Sequence, residues 1–224
     1  MENRFNGFTQ DTFKFLKDLG ENNCKPWFDE HKYSYELELL QPLKALVVAM
    51  TPAMYEIDNQ FDFRTNRVLS RIYRDIRFSY DKTPYKDHMW ITFQRMVPEW
   101  QNFPAFFMEI SATGYLYGMG LYGSKKKIMD DMRERIEYEP GRFKEITQDL
   151  IGKHGYILDG EQYKRPLKND LPEYFQAWMQ RKSVYIHKRK PIGKELFDSG
   201  FAECLASEFA LSKDLYEFFV DVCD

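Results

Sequence analysis

Apolar residues recur at helical spacing near both ends of the chain. In the N-terminal part they are Phe13, Leu16 and Leu19, which follow Thr9, a residue type that caps helix N-termini. A longer helical pattern runs through positions 35–50, and Pro42 and Pro52 are each expected to break or kink it. A helical tail is predicted from about position 194.

The middle of the chain has a different period. Apolar and polar residues alternate over positions 89–94, 106–110 and 115–117, which predicts antiparallel strands. Helical spacing returns after Ser124, a plausible helix cap, and a further strand is predicted at 183–187. Without regular alternation of strands and helices, the order predicts an α+β fold. A central, mostly antiparallel sheet would be flanked by N-terminal and C-terminal helices in a single domain of residues 1–224.

Composition and charge narrow the class of protein. Hydrophobic residues make up 43% of the chain and charged residues 30%, as in soluble domains with a real core. No apolar run approaches the roughly 18 residues that a membrane span needs, and no signal peptide is visible. We therefore expect a cytoplasmic protein without membrane contact. Its net charge of −3 makes nucleic acid an unlikely general partner, so any anion site must be local.

The spacing of potential metal ligands predicts neither a metal site nor a cofactor. No pair of cysteines or histidines has the spacing of a metal site, and an odd number of cysteines does not suit a disulfide framework. These residues are Cys24, Cys204, Cys223, His31, His88, His154 and His187.

One segment, residues 71–88, concentrates positive charge in this acidic chain. It holds five Arg or Lys and three Asp, a net charge of +2 from five minus three. The cations are Arg71, Arg74, Arg77, Lys82 and Lys86. Arginine offers a planar fork to phosphate or carboxylate and lysine a mobile charge, so we expect these residues to bind an anion. Asp75 and His88 are the candidates for acid–base catalysis.

The local conformation and the pairing of these cations have alternatives. The start of the segment fits a strand or, by the spacing of Val68, Ile72 and Ile76, a helix. The cations could also pair with Asp75, Asp81 and Asp87 in an internal salt-bridge network. Two further basic stretches would favour ligand binding if folding brought them close. They contain Lys164, Arg165, Arg181 and Lys182.

Two other patterns have ordinary structural explanations. Residues 118–123 fit the glycine pattern of dinucleotide sites, but the expected strand–helix–strand unit does not follow. Tight strand packing is the better interpretation. Ser79 and Ser183 stand in basic surroundings that suit an oxyanion, yet local capping bonds are the more ordinary role for such serines.

Several longer motifs resemble one bacterial family, the domain of unknown function numbered 2461. They are Phe5-Asn6-Gly7-Phe8-Thr9, Arg71-Ile72-Tyr73-Arg74-Asp75, Asp81-Lys82-Thr83-Pro84-Tyr85-Lys86, Lys164-Arg165-Pro166 and Arg181-Lys182-Ser183. The resemblance spans nearly the whole chain and implies a single domain. It implies no activity and no catalytic residues.

The leading functional hypothesis is therefore the binding of a small anionic ligand at residues 71–88, with or without a reaction. A non-catalytic interaction module is an alternative, with Trp100, Phe103 and Phe107 as exposed aromatics that contact a protein partner. Single-stranded nucleic-acid binding is a third, with bases stacked on Tyr73, Tyr80 and Tyr85.

Overall fold

A computed structural model describes residues 4–77, 80–167 and 171–223. By its internal contacts the chain separates into two compact units. The first comprises Met1–Phe93, Phe107–Leu116 and Arg189–Ser207, and the second comprises Gln94–Phe106, Tyr117–Lys188 and Glu208–Asp224. The single-domain organisation stays a prediction.

The first unit begins with helices whose limits follow from capping chemistry. Helix α1 spans Gln10–Glu21, and Thr9 and Thr12 cap it reciprocally through their side chains, as the position of Thr9 predicts. Helices α2 (Lys25–Glu30) and α3 (Lys32–Ser34) follow.

A π-helical turn, Tyr35–Leu40, joins α3 to helix α4, which spans Gln41–Ile57. Pro42 has no N–H to donate to the carbonyl of Glu38, and that carbonyl instead accepts the Thr12 hydroxyl at 2.6 Å. Pro52 lies inside α4. Neither proline ends the helical run; the distortion lies in the π-helical turn before Pro42. The short helix α5 spans Thr65–Val68.

A five-stranded antiparallel sheet confirms the predicted α+β class. Its strands are β1 (His88–Phe93), β2 (Ala105–Ser111), β3 (Gly114–Leu121), β4 (Ile157–Asp159) and β5 (Val184–Pro191). The spatial order is β1-β2-β3-β5-β4. Every second residue of β1 and β2 is buried, as their alternating sequence predicts, whereas all eight residues of β3 are buried.

The second unit contains helices α6 (Lys126–Tyr138), α7 (Pro140–Gly152) and α8 (Glu173–Met179). Lys125, not Ser124, occupies the N-cap position of α6. The Ser124 hydroxyl donates to the Gln101 carbonyl, so the predicted cap is one residue early. The core of this unit includes Phe143, whose ring lies 5.0 Å from that of Trp178 and 5.1 Å from that of Phe218.

The last two elements that the structure describes are helices, as the apolar spacing after position 194 predicts. Helix α9 spans Phe201–Leu211 and helix α10 spans Lys213–Cys223.

Glycines in β3 allow close contact with β5, the packing that the sequence favours over a dinucleotide loop. A Cβ on Gly118 would lie 2.0 Å from the Ile186 carbonyl oxygen, and one on Gly120 would lie 2.3 Å from that of Val184. The glycine pattern therefore belongs largely to a strand.

Among the described residues, the helical run Lys32–Ile57 is the one long and apolar enough to cross a membrane by length and composition. Its inner face buries Leu43, Leu46, Val47 and Met50 completely or almost so, as core helices do. Hydropathy alone is thus weak support for a membrane span, and the cytoplasmic location stays a prediction.

Replacing Gly118 with Ala tests the strand packing. We expect Gly118→Ala to lower the free energy of unfolding by about 1–3 kcal/mol, because a methyl group cannot fit against the Ile186 carbonyl. Gly141→Ala in α7 is the control, since nothing lies within 4 Å of its added Cβ. Urea unfolding measures both changes; equal stability of the two variants would contradict the packing.

Candidate functional site

The basic segment, residues 71–88, folds back on itself in the first unit. Tyr73 pairs with Tyr85 in an isolated antiparallel bridge. The Arg74 N–H donates to the Pro84 carbonyl at 2.9 Å, and the Lys86 N–H donates to the Ile72 carbonyl at 2.8 Å. The start of the segment is therefore an irregular extended arm, neither the regular strand nor the helix that its spacing allows.

Tyr85 anchors this loop to the helices. It is 3% exposed, and its ring stacks on Phe28 of α2 with 4.1 Å between centroids. The Asn23 side chain donates to the Tyr85 carbonyl and accepts its N–H, each at 3.0 Å. The prediction that Tyr85 stacks on a nucleic-acid base is wrong, because this ring is already buried. Tyr73 and Tyr80 remain exposed.

At the tip of the loop, the charged side chains bind partners that are close in the sequence. Arg77 forms a two-pronged ion pair with Asp75, with contacts of 2.9 and 2.6 Å. These bonds lower the pKa of Asp75 to about 2, so its carboxylate is a weak base at neutral pH. Lys82 donates to the Ile76 carbonyl at 2.7 Å. Phe78 and Ser79 lie outside the described residues.

Asp81 holds the returning arm of the loop. Its carboxylate accepts the Thr83 N–H and hydroxyl at 2.9 and 2.8 Å, and these bonds, with the nearby Arg74, lower the pKa of Asp81. The Arg74 guanidinium lies 3.0 Å from Asp81 and also donates to the Tyr85 carbonyl at 3.1 Å. The buried Nε of Arg74 has no hydrogen-bond partner within the described residues.

Lys86 and Arg71 hold positive charge at the base of the loop. The Lys86 ammonium donates to the Arg71 carbonyl at 2.9 Å. Burial lowers the pKa of Lys86, and the positive charges of Arg71 and Arg74 lower it further. Over the parts of the chain that the structure describes, neither Lys86 nor the exposed Arg71 forms an ion pair with a carboxylate.

His88 begins β1, two residues after Lys86. Its Nδ1 lies 2.8 Å from Asp87, and its ring meets Trp90 edge-on at 6.2 Å. The acid–base roles of His88 and Asp75 stay predictions, and the pairing of Asp75 with Arg77 makes that residue the weaker candidate.

The other predicted cations belong to the second unit. Lys164 and Arg165 are exposed, and Lys182 forms an ion pair with Glu161. Arg181 is 7% exposed and donates to the carbonyls of Ala177, Gly160 and Leu158. With its guanidinium used in this way, Arg181 is a structural residue, and the pKa of Arg181 is lowered by burial.

Arg133 is a second buried arginine that the sequence pattern did not reveal. It donates to the Met179 carbonyl at 2.8 Å and the Arg181 carbonyl at 2.6 Å, and it pairs with Asp130 at 2.7 Å. Arg133 and Arg181 thus satisfy carbonyl groups at the C-terminus of α8, where cations are favourable. One signal of the burial of Arg133 was available in the sequence. Arg133 lies among the apolar residues Met129, Met132 and Ile136, which are buried with it in α6.

Of the three aromatics proposed for a protein interface, Trp100 is clearly exposed, at 43%. Phe103 is half-buried beneath the Arg95 guanidinium, which lies 5.3 Å from its ring centre. Phe107 is half-buried against Trp90, with 5.8 Å between ring centres. The expectation of three exposed aromatics is therefore correct for Trp100 and wrong for the two phenylalanines.

Across 4–77, 80–167 and 171–223, no three His, Cys, Asp or Glu side chains are grouped as a metal site requires. The comparisons with known proteins give one family. The family described as "Conserved hypothetical protein (DUF2461)" matches residues 11–218. The chain belongs to this family. The match covers most of both units of this DUF2461 protein and every candidate site residue. No curated protein matches it significantly.

Replacing Asn23 tests the anchor of the loop. Asn23→Ala leaves the Tyr85 N–H without a partner and leaves its carbonyl with the bond from Arg74 alone. We therefore expect the free energy of unfolding to fall by about 1–3 kcal/mol. Asn22→Ala is the matched control, since Asn22 makes an exposed side-chain bond to the Asp18 carbonyl. Chemical unfolding followed by tryptophan fluorescence measures both; an equal effect of the two substitutions would argue against the anchor.

The stability at alkaline pH should depend on Tyr35. Burial raises the pKa of Tyr35 from 10.0 to about 12. The unfolded chain therefore loses this proton near pH 10 while the folded chain keeps it, so stability present below pH 10 declines as pH rises toward 12. We expect Tyr35→Phe to make this decline shallower and Tyr33→Phe, at a 75% exposed residue, to leave it unchanged. Urea unfolding between pH 8 and pH 12 measures the slopes; identical slopes would refute the assignment.

Proposed function

We propose that this DUF2461 protein binds a small anionic ligand, bearing phosphate or carboxylate, at the base of the loop. Arg71, Arg74 and Lys86 are the binding residues. The observation that supports this most is the closeness of three cations, because the charges of Arg71 and Arg74 both act on the Lys86 ammonium. Residues 71–88 hold five Arg or Lys and three Asp, a net charge of +2 within a chain whose net charge is −3.

The electrostatics of Lys86 explain why an anion would be favoured there. Burial and two neighbouring guanidinium groups both work against its protonated form. An anion beside the ammonium group would offset that repulsion. The attraction between the two charges would also be stronger than at an exposed lysine, because partial burial reduces screening by water.

Each of the three side chains has a distinct place in the proposal. Arg71 is exposed and presents a fork suited to two ligand oxygens. Lys86 is partly buried and fixed to the Arg71 carbonyl, so its remaining N–H groups have defined directions. Arg74 is bound to the Asp81 carboxylate and the Tyr85 carbonyl, and its positive charge would add to the attraction for an anion.

We assign the other predicted cations lesser roles. Arg77 and Lys82 are bound to partners within the tip and would add long-range attraction only. Arg181 is excluded because its guanidinium holds backbone carbonyls. The proposal includes no reaction, since Asp75 is paired with Arg77 and its pKa is about 2.

Titration with inorganic phosphate, sulfate and citrate at constant ionic strength tests the binding. Calorimetry and thermal unfolding should show saturable binding to the wild type. Arg71→Ala and Lys86→Met should each raise the dissociation constant about tenfold or more, because a charge-assisted hydrogen bond is worth about 1.5–3 kcal/mol. Lys17→Met, at an exposed lysine of α1, should leave it unchanged.

Methionine retains most of the length of the Lys86 side chain, and circular dichroism verifies that the variants fold. The proposal fails if the wild type shows no saturable binding of any of the three anions. It fails equally if Lys86→Met and Lys17→Met bind them alike.

A further inference from the structure

A pair of aromatic rings lies on the part of the sheet that belongs to the first unit. The rings of Trp90 in β1 and Phe107 in β2 have 5.8 Å between their centres. Both side chains are half-buried, whereas their strand neighbours Met89, Ile91 and Met108 are at most 1% exposed. Successive side chains of a strand point to opposite faces. The pair therefore lies on the face turned away from the core, where the chain leaves both rings partly exposed.

The residues between the basic loop and this pair continue the same alternation. Tyr85 is buried, as are the core-facing residues of β1, whereas Lys86 and His88 are half-buried like Trp90. Asp87, at a bend, is exposed and departs from the pattern. The alternation places Lys86 on the same face as Trp90. Four extended residues separate their Cα atoms by about 14 Å at most.

Hydrogen bonds hold the base of the loop to the backbone of Trp90. The Ser70 N–H donates to the Trp90 carbonyl at 2.8 Å, and the Trp90 N–H donates to the Ser70 hydroxyl at 3.0 Å. Ser70 directly precedes Arg71. The Arg71 carbonyl accepts the Lys86 ammonium at 2.9 Å, so Lys86 reaches back toward the same pairing. The cations and the indole ring thus share one short stretch of paired backbone.

His88 lies between Lys86 and the aromatic pair. Its ring meets Trp90 edge-on at 6.2 Å, and its Nδ1 lies 2.8 Å from the Asp87 carboxylate. Among the described residues its Nε2 forms no hydrogen bond, so this nitrogen is available to a polar group of a ligand. Asp87 and Asp81 together bring two negative charges against the three cations at the base of the loop, which leaves the site positive.

From this arrangement we infer that the anion bound at the base of the loop carries a flat aromatic ring, as an aryl phosphate or an aryl carboxylate does. The inference rests on the proposed function and names the class of its ligand. The anionic group binds Lys86 and Arg71, and the ring packs against Trp90 and Phe107. Contact between aromatic rings adds to the free energy of apolar burial, so both parts of the site favour the same molecule.

Tyr73 is less suited to hold this ring, although it is 57% exposed. It pairs with Tyr85, while Lys86 donates to the carbonyl of Ile72, one residue earlier. Neighbouring pairs of an antiparallel ribbon project their side chains to opposite faces, so Tyr73 points away from Lys86. Tyr73 and Trp90 thus lie on different faces, whereas a single-stranded nucleic acid needs rings and cations along one groove. This favours a small ligand over a nucleic-acid strand.

Matched pairs of ligands test the ring separately from the anion. Phenyl phosphate and methyl phosphate carry the same charge at about pH 8, where both are dianions. Isothermal titration calorimetry of the wild type should show that phenyl phosphate binds about tenfold more tightly. Benzoate and acetate make the same comparison for a carboxylate. Cyclohexyl phosphate should bind less tightly than phenyl phosphate, because its ring is neither flat nor aromatic.

Substitutions test where the ring binds. Trp90→Leu should reduce the preference for phenyl over methyl phosphate from about tenfold to nearly none. Lys86→Met should weaken the binding of both. Trp100→Leu, at a 43% exposed residue outside the first unit, is the matched control and should keep the wild-type preference. Circular dichroism verifies the fold of each variant, and Phe107→Leu takes the place of Trp90→Leu if that variant does not fold.

The outcomes separate this inference from the proposed function. If the wild type binds none of these anions, the proposed function fails and the inference fails with it. If each aryl anion binds no more tightly than its methyl counterpart, the anion site stands and the aromatic ligand is overturned. Equal binding of cyclohexyl and phenyl phosphate, or a preference that survives loss of the Trp90 ring, also overturns it. Tighter binding of a thymidine oligonucleotide without terminal phosphates would overturn it in favour of nucleic acid.

Discussion

The stack of Tyr85 on Phe28, with the two hydrogen bonds between Tyr85 and Asn23, fixes one arm of the basic loop. Everything proposed for the loop depends on this anchor. Tyr85 directly precedes Lys86, and the Tyr85 carbonyl also accepts a hydrogen bond from the Arg74 guanidinium. A loop held at only one end would let the cations move apart and lower their mutual repulsion. The anchor instead keeps positive charges close together, so the aromatic packing provides the free energy that holds a repulsive arrangement.

The cations of this protein fall into two groups by the hydrogen bonds that they form. Arg133 and Arg181 donate to backbone carbonyls, so their guanidinium groups complete the hydrogen bonding around the end of α8. Such groups have little capacity left for a ligand. Lys86 and Arg71 differ, since donors of both remain available and, among the described residues, neither forms an ion pair with a carboxylate within 4.0 Å. The number of bonds at each cation, more than the local density of Lys and Arg, separates structural from candidate ligand residues.

Much of the fold could be predicted from the sequence because its signals are local. Alternation in β1 and β2 and the capping residue Thr9 act over a few neighbouring residues. The site was less predictable because its determinants are distant in sequence. Asn23 binds Tyr85 from 62 residues away, and Arg133 reaches a carbonyl 48 residues away. The sequence of residues 71–88 identified a group of cations but could not reveal which of them are paired or that Tyr85 is buried.

The π-helical turn Tyr35–Leu40 has a consequence for how this chain tolerates changes in length. A π-helical turn contains one more residue than the α-helical turn it replaces. Deleting one residue there would restore regular α-helical bonding and rotate the preceding residues little relative to α4, because the π-helical turn already absorbs the extra residue within one turn. Phe28, which stacks on Tyr85, precedes this turn and would keep its orientation. The turn is therefore a place where the chain could lose one residue without moving the anchor of the loop.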